Sequence, residues 1–199
     1  MVLTVRTSIC ILDKVVRRAL GIYEFCDNPD CLLRVRIVSV THALSLPDRT
    51  VSKGVPVLEL HLWNEHIPPL PLYGPDLAWA VQTRRKLTAS FRMLADQMPR
   101  DLRFAAVQAV GGITTLLLPD NDAGGEKLFQ HLGFSIYPHH SVLGRFGEFW
   151  ENLYSWWIMW AFNPPTLRHR HLARLCRNEI WMSVEVFLNR YGANGERRQ

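Results

Sequence analysis

The chain has 199 residues, 48% hydrophobic and 21% charged, a composition that excludes a disordered chain, a collagen-like repeat and a disulfide scaffold. No segment supplies the roughly 18 nearly uncharged apolar residues of a spanning helix. The formal charge of +5 sits at the two ends, with Arg6, Lys14, Arg17 and Arg18 against Asp13 near the start and seven arginines against Glu179, Glu185 and Glu196 in the last stretch, which suits an anionic surface.

Residues 8–20 read as an amphipathic helix on the spacing of Ile11, Leu12, Val15, Val16, Ala19 and Leu20. Asp13 and Lys14 interrupt the apolar run that a secretory signal needs, and no small-residue cleavage site follows, which predicts a protein kept in the cytoplasm. Cys26 and Cys31 bracket the turn 27–30. They are placed to close a small disulfide or share a metal, but no second pair completes a four-ligand zinc site, so ordinary thiols are expected.

Strands are predicted at 33–41 and 55–63, the second approached through Gly54 and Pro56. The proline-rich stretch 67–76 delays the next helix until Asp76, a good N-cap. That helix runs to about residue 98, with Leu77, Ala80, Val81, Leu87, Phe91, Leu94 and Met98 on one stripe and Arg84, Arg85, Lys86 and Arg92 turned outward.

Residues 104–118 read as a hairpin turning at Gly111-Gly112. Asp120, Asn121 and Asp122 can cap a helix over 124–132, which Gly133 ends in the left-handed conformation, and a strand follows at 134–138. The final third reads as helical: 144–162, a break at Pro164-Pro165, 166–176, and 184–191 capped by Ser183. The expected fold is α+β, with a small, mostly antiparallel central sheet flanked by helices. One domain over 1–199 divides into a helix and turn (1–30), an α/β core (31–140) and a Trp-rich helical extension (141–199).

Two constellations carry chemistry. In the strand 55–63, Glu59, His61 and Trp63 share a face with Val57, and Asn64, Glu65 and His66 follow directly. A histidine beside a carboxylate can act as a general base, because the carboxylate fixes the tautomer and stabilises the imidazolium. The candidate catalytic residues are therefore Glu59, His61, Asn64, Glu65 and His66, weighed against a solvated sheet face. Their spacing is not that of a metalloprotease zinc helix.

The second is GRFGEFWENLYSWWIMWAFNP, 144–164, which holds four of the seven tryptophans: Trp150, Trp156, Trp157 and Trp160. On a helical wheel the aromatics cover one broad face, and Glu148, Glu151, Asn152 and Ser155 form a narrow opposite one. Rings that bury about 150 to 250 Å² each are too costly to leave in water. Three covers are open: the protein's own core, a partner protein, or a bilayer interface. Arg168, Arg170 and Arg174 follow at once and would supply attraction to anionic lipid.

His139 with His140, and His169 with His171, have the wrong spacing for one helix face and read as solvated. Gly124-Gly125 ahead of Lys127 reads as a simple turn, since Asp120 and Asp122 would repel a phosphate. Neither a P-loop, nor G-x-G-x-x-G, nor G-x-S-x-G is present. Nucleic acid is disfavoured, because no recognition motif is present and the bases are not interleaved with stacking aromatics. No pattern assigns a cofactor or an oligomeric state.

At LELHLWNEHIP (58–68), in the Trp-rich segment and at EIWMS (179–183), the chain resembles the YkoP-like family, over about residues 30–192. The resemblance implies association with polysaccharide deacetylases and glycosyltransferases, and so work on envelope glycans or lipids at a membrane surface or beside an envelope-biosynthesis enzyme. No deacetylase metal motif is present. EKLFQHLGFSIYP (126–138) is similar to the late helix, Gly-Phe and final strand of GCN5-type acetyltransferases. The signature that family uses for coenzyme A, Q/R-x-x-G-x-G/A, is missing, and prolines stand in its place.

Overall fold

The computed structural model describes residues 2–73, 76–114, 123–139, 144–162, 164–169 and 177–193. Helix α1 (Val2–Ala19) begins earlier than its periodicity predicts. Strand β1 (Leu33–Ser39) is followed by a two-stranded hairpin, β2 (Leu44–Ser45) and β3 (Thr50–Val51), whose two-residue strands are too short to carry an alternating pattern. Strand β4 (Pro56–Leu62) then pairs antiparallel with β1 from Ser39↔Pro56 to Leu33↔Leu62.

Helix α2 (Leu77–Gln97) starts where expected, with the Asp76 carboxylate accepting from the amide of Trp79 at 2.7 Å. Its stripe is buried only in the second half, at Ser90, Phe91, Leu94 and Ala95, whereas Leu77 is 80% exposed. Strand β5 (Ala109–Thr114), helix α3 (Ala123–His131), strand β6 (Ser135–Pro138) and helix α4 (Gly144–Phe162) follow. Gly133 ends α3 at φ +92°, as predicted, while Gly124 and Gly125 lie in the first turn of α3 rather than in a separate turn. The proposed caps Asp120, Asn121 and Asp122 lie outside the described residues.

The last third is not all helix. A 3₁₀ turn, Pro164–His169, starts at the expected proline break and takes up the first part of the helix predicted over 166–176; residues 170–176 lie outside the described set. The EIWMS segment forms strand β7 (Asn178–Ser183), which runs into helix α5 (Val184–Tyr191) under the expected Ser183 cap. Strand β7 enters the sheet between β5 and β6, giving the order β1-β4-β5-β7-β6 with one parallel junction, β4 to β5. The fold is α+β and its sheet is mostly antiparallel.

Placing β7 there overturns the predicted hairpin. Gly111 and Gly112 lie inside β5, opposite Trp181 and Ile180, and what they supply is close approach rather than a turn. A Cβ on Gly111 would stand 2.0 Å from the Ile180 carbonyl oxygen and 2.5 Å from the Trp181 ring; one on Gly112 would stand 2.8 Å from the Leu60 carbonyl oxygen.

Strand alternation gives the sheet two buried faces. On one, Val35, Leu58, Val110 and Met182 pack with Phe91 and Leu94 of α2 and Phe187 and Tyr191 of α5. On the other, Val57, Ala109 and Trp181 pack under the β2–β3 hairpin through Leu44, Leu46 and Val51. The same face carries Glu59, His61 and Glu179. Cys26 and Cys31 are free thiols, so the small disulfide is not formed.

Gly111→Ala is expected to lower unfolding free energy by about 3 kcal/mol or more in urea denaturation, because backbone on the neighbouring strand blocks the added methyl. A loss within about 0.5 kcal/mol, as at an open turn, would contradict the close approach.

Candidate functional site

The five residues read as one site separate into two groups. Glu59, at the centre of β4, is 6% exposed and accepts from Arg36 Nε at 2.7 Å. His61 Nε2 lies 3.7 Å from Glu59 Oε2, the oxygen that Arg36 holds, is shielded from solvent and has no hydrogen-bond partner among the described residues. Burial, the largest influence on the Glu59 carboxyl, raises its pKa, but the neighbouring His61 and Arg36 together outweigh it and hold the group below its ordinary value.

Glu65 turns away from that pair. It accepts from Arg34 Nη1 at 3.1 Å and from Arg17 Nη2 at 3.3 Å, which again holds the carboxyl low against burial. Arg34 is itself buried, also grips Glu24 at 3.0 Å, and lies 4.4 Å over the Trp63 ring. His66 stacks on the other partner of this arrangement, Trp63, at 3.8 Å, and its Nδ1 is 2.8 Å from the Cys31 carbonyl oxygen. A carbonyl can only accept, so Nδ1 carries the proton. Asn64 opens the 3₁₀ turn Asn64–His66 and makes no side-chain hydrogen bond among the described residues. Of the five residues, His61 and Glu59 are the imidazole and carboxylate that stand side by side on one sheet face.

A second imidazole–carboxylate pair forms at His139, a histidine expected to be solvated. His139 follows β6 and is nine-tenths buried; its Nδ1 is 2.9 Å from Glu179 Oε1. The other oxygen of Glu179 accepts from Trp181 Nε1 at 2.9 Å and lies 3.6 Å from His42 Nε2. Burial raises the Glu179 pKa, and the His139 and Trp181 hydrogen bonds bring it below the ordinary value. The alternation of Glu179 and Trp181 in EIWMS was the available signal, because it puts both on one strand face. The partner histidine is 40 residues distant and carries no local sign.

The aromatic helix settles its own orientation. Ile158 is buried, and three residues of the half-buried polar strip engage Arg177, which donates to Asn152 Oδ1 at 3.2 Å and Ser155 Oγ at 2.8 Å and stands 3.3 Å from Glu151. Tyr154 donates to Asp13 of α1 at 2.7 Å. The aromatic face points out, with Phe146 68% exposed, Phe149 and Trp150 each 51%, and Trp157 37%. Trp156 and Trp160 are half-buried. Helix α1 packs on α4 and leaves Ile11, Leu12 and Val15 exposed as well. Arg168 lies in the 3₁₀ turn after α4, while Arg170 and Arg174 fall outside the described residues.

A carboxyl held low in the fold stabilises it above the ordinary pKa, and this contribution is lost as pH falls through the folded value. Thermal stability should therefore drop on acidification below the ordinary 4.5 of Glu59. Glu59→Gln should flatten that drop while costing about 1 to 3 kcal/mol at neutral pH, where Arg36 loses its partner. Parallel pH profiles for the two proteins would contradict this.

The model of the YkoP domain matches residues 4–191. No curated protein and no solved structure matches the chain. With nearly its whole length covered, the chain belongs to the YkoP domain family.

Proposed function

We propose that this protein works on a membrane surface, with α1 and the aromatic face of α4 lying in the headgroup layer, and that it serves envelope glycan or lipid metabolism there. The observation that carries the reading is the outward aromatic edge of α4. A helix that binds its polar strip to Arg177 and turns Phe146, Phe149, Trp150 and Trp157 outward has left its most apolar surface for something else to cover. Tryptophan is favoured in the interfacial zone, where its ring is half apolar and its N–H stays wet. Lys14 and Arg18, exposed beside Ile11 and Val15 on α1, put positive charge at the level where lipid phosphates would meet it. Among the described residues no helix is long and apolar enough to cross a membrane, so the contact is peripheral. The envelope role comes from what the family resemblance implies.

We further propose, more narrowly, an acyltransferase-like activity for it. It is supported by the order β4–α2–β5–α3–β6, with the parallel junction bridged by α2, and by His61 beside Glu59 as the base. The prolines ahead of α2 and the Asp76 carboxylate on its first amides weigh against a coenzyme A pyrophosphate there. A second reading is a non-catalytic module that docks a glycosyltransferase or deacetylase through α4. It is favoured by the engagement of Glu65 and His66 in internal contacts.

Co-sedimentation with phosphatidylglycerol-containing vesicles tests the membrane reading. The wild type should partition, and Phe149→Ser/Trp150→Ser should weaken partition by roughly tenfold or more, from the apolar area withdrawn. Equal partition of the two, or none by the wild type, would contradict it. A thermal shift with acyl-coenzyme A supports the acyl-transfer part, and no shift removes that part alone.

A further inference from the structure

Between α1 and the sheet edge lies a hollow of about 520 Å³, lined among others by Lys14, Arg17, Arg18, Arg34, Glu24 and Glu65. Four of these charges close on themselves. Glu24 lies 3.0 Å from Arg34 and 3.8 Å from Arg17, while Glu65 lies 3.1 Å from Arg34 and 3.3 Å from Arg17. Each carboxylate thus bridges both guanidinium groups, and the quartet is neutral. Asp13 braces it from outside the hollow, accepting from Arg17 Nε at 2.7 Å.

Lys14 and Arg18 remain. Both are exposed, and neither makes an ion pair among the described residues. They give the hollow its surplus of positive charge. Tyr23 lines it through its ring, while its hydroxyl is shielded from solvent. On the helical wheel of α1, Lys14 and Arg18 flank Ile11 and Val15, which are 60% and 58% exposed. A bilayer that received those two side chains would bring its headgroups to the mouth of the hollow.

We propose that this hollow binds the phosphate of an anionic membrane lipid, with Lys14 and Arg18 as its charge partners. The inference rests on the membrane reading above and deepens it, naming the headgroup chemistry that the surface selects. Arg17 and Arg34 are held by the carboxylates and fix the walls. The lipid phosphate meets the two exposed cations at the mouth of the hollow, an attraction that weakens as salt rises.

The test compares vesicles of phosphatidylcholine with and without phosphatidylglycerol. The wild type should prefer the anionic vesicles, and Lys14→Gln/Arg18→Gln should lose roughly thirtyfold of that preference while binding phosphatidylcholine as before. Arg84→Gln/Arg85→Gln, which removes the same charge from the exposed face of α2, should keep it. Soluble sn-glycerol 3-phosphate should compete with the anionic vesicles and shift the backbone resonances of residues 14–24 saturably.

Equal loss in both double variants would overturn the site in favour of diffuse charge, and so would retention in Lys14→Gln/Arg18→Gln. Saturable glycerol 3-phosphate binding that leaves vesicle binding untouched would assign the hollow to a free phosphate ester and overturn the lipid source. Wild-type binding to both vesicles without preference overturns this inference alone. Binding to neither overturns the membrane reading itself.

Discussion

Arg177 fixes the rotation of α4, and with it the character of the molecule's surface. Its guanidinium is held by Ser155, Asn152 and Glu151, and stripping a half-buried charge of such partners costs about 3 to 5 kcal/mol. Rolling α4 to hide its aromatics would strip those partners and also break the Tyr154–Asp13 hydrogen bond. The polar contacts inside therefore dictate the apolar surface outside.

Asp13 carries this constraint beyond α4. One of its oxygens takes the Tyr154 hydroxyl and the other takes Arg17, which joins Glu65 at the end of β4 and Glu24 before β1. Helix α1, helix α4 and the sheet edge are thus held by one chain of charge-assisted hydrogen bonds. The exposed apolar residues of both helices consequently belong to a single framework, and a membrane would meet a preformed surface with little ordering left to do.

Features set by local chemistry were legible in the sequence. The Asp76 and Ser183 caps, the bounds of α4 and the left-handed Gly133 depend on neighbours a few residues away, and all four stand where the pattern places them. The hairpin at Gly111-Gly112 was misread because two glycines look alike whether they serve a turn or the passage of a neighbouring strand. Only the arrival of β7, about seventy residues later, distinguishes the cases. The site divides in the same way. Glu59 and His61 follow from strand alternation, whereas the splitting off of Glu65 by Arg34 and the pairing of His139 with Glu179 depend on strand order. The helical wheel found the two faces of α4 but had no means to say which one turned inward.

The most direct measurement is quenching of tryptophan fluorescence by lipids brominated at stepped depths along their acyl chains, comparing the wild type with Trp150→Phe/Trp157→Phe. The account predicts a blue shift on vesicle binding and strongest quenching by bromines nearest the headgroups, both much reduced in the variant. Emission unchanged by vesicles, or quenching that the variant keeps in full, would contradict an outward aromatic face that rests in the interface.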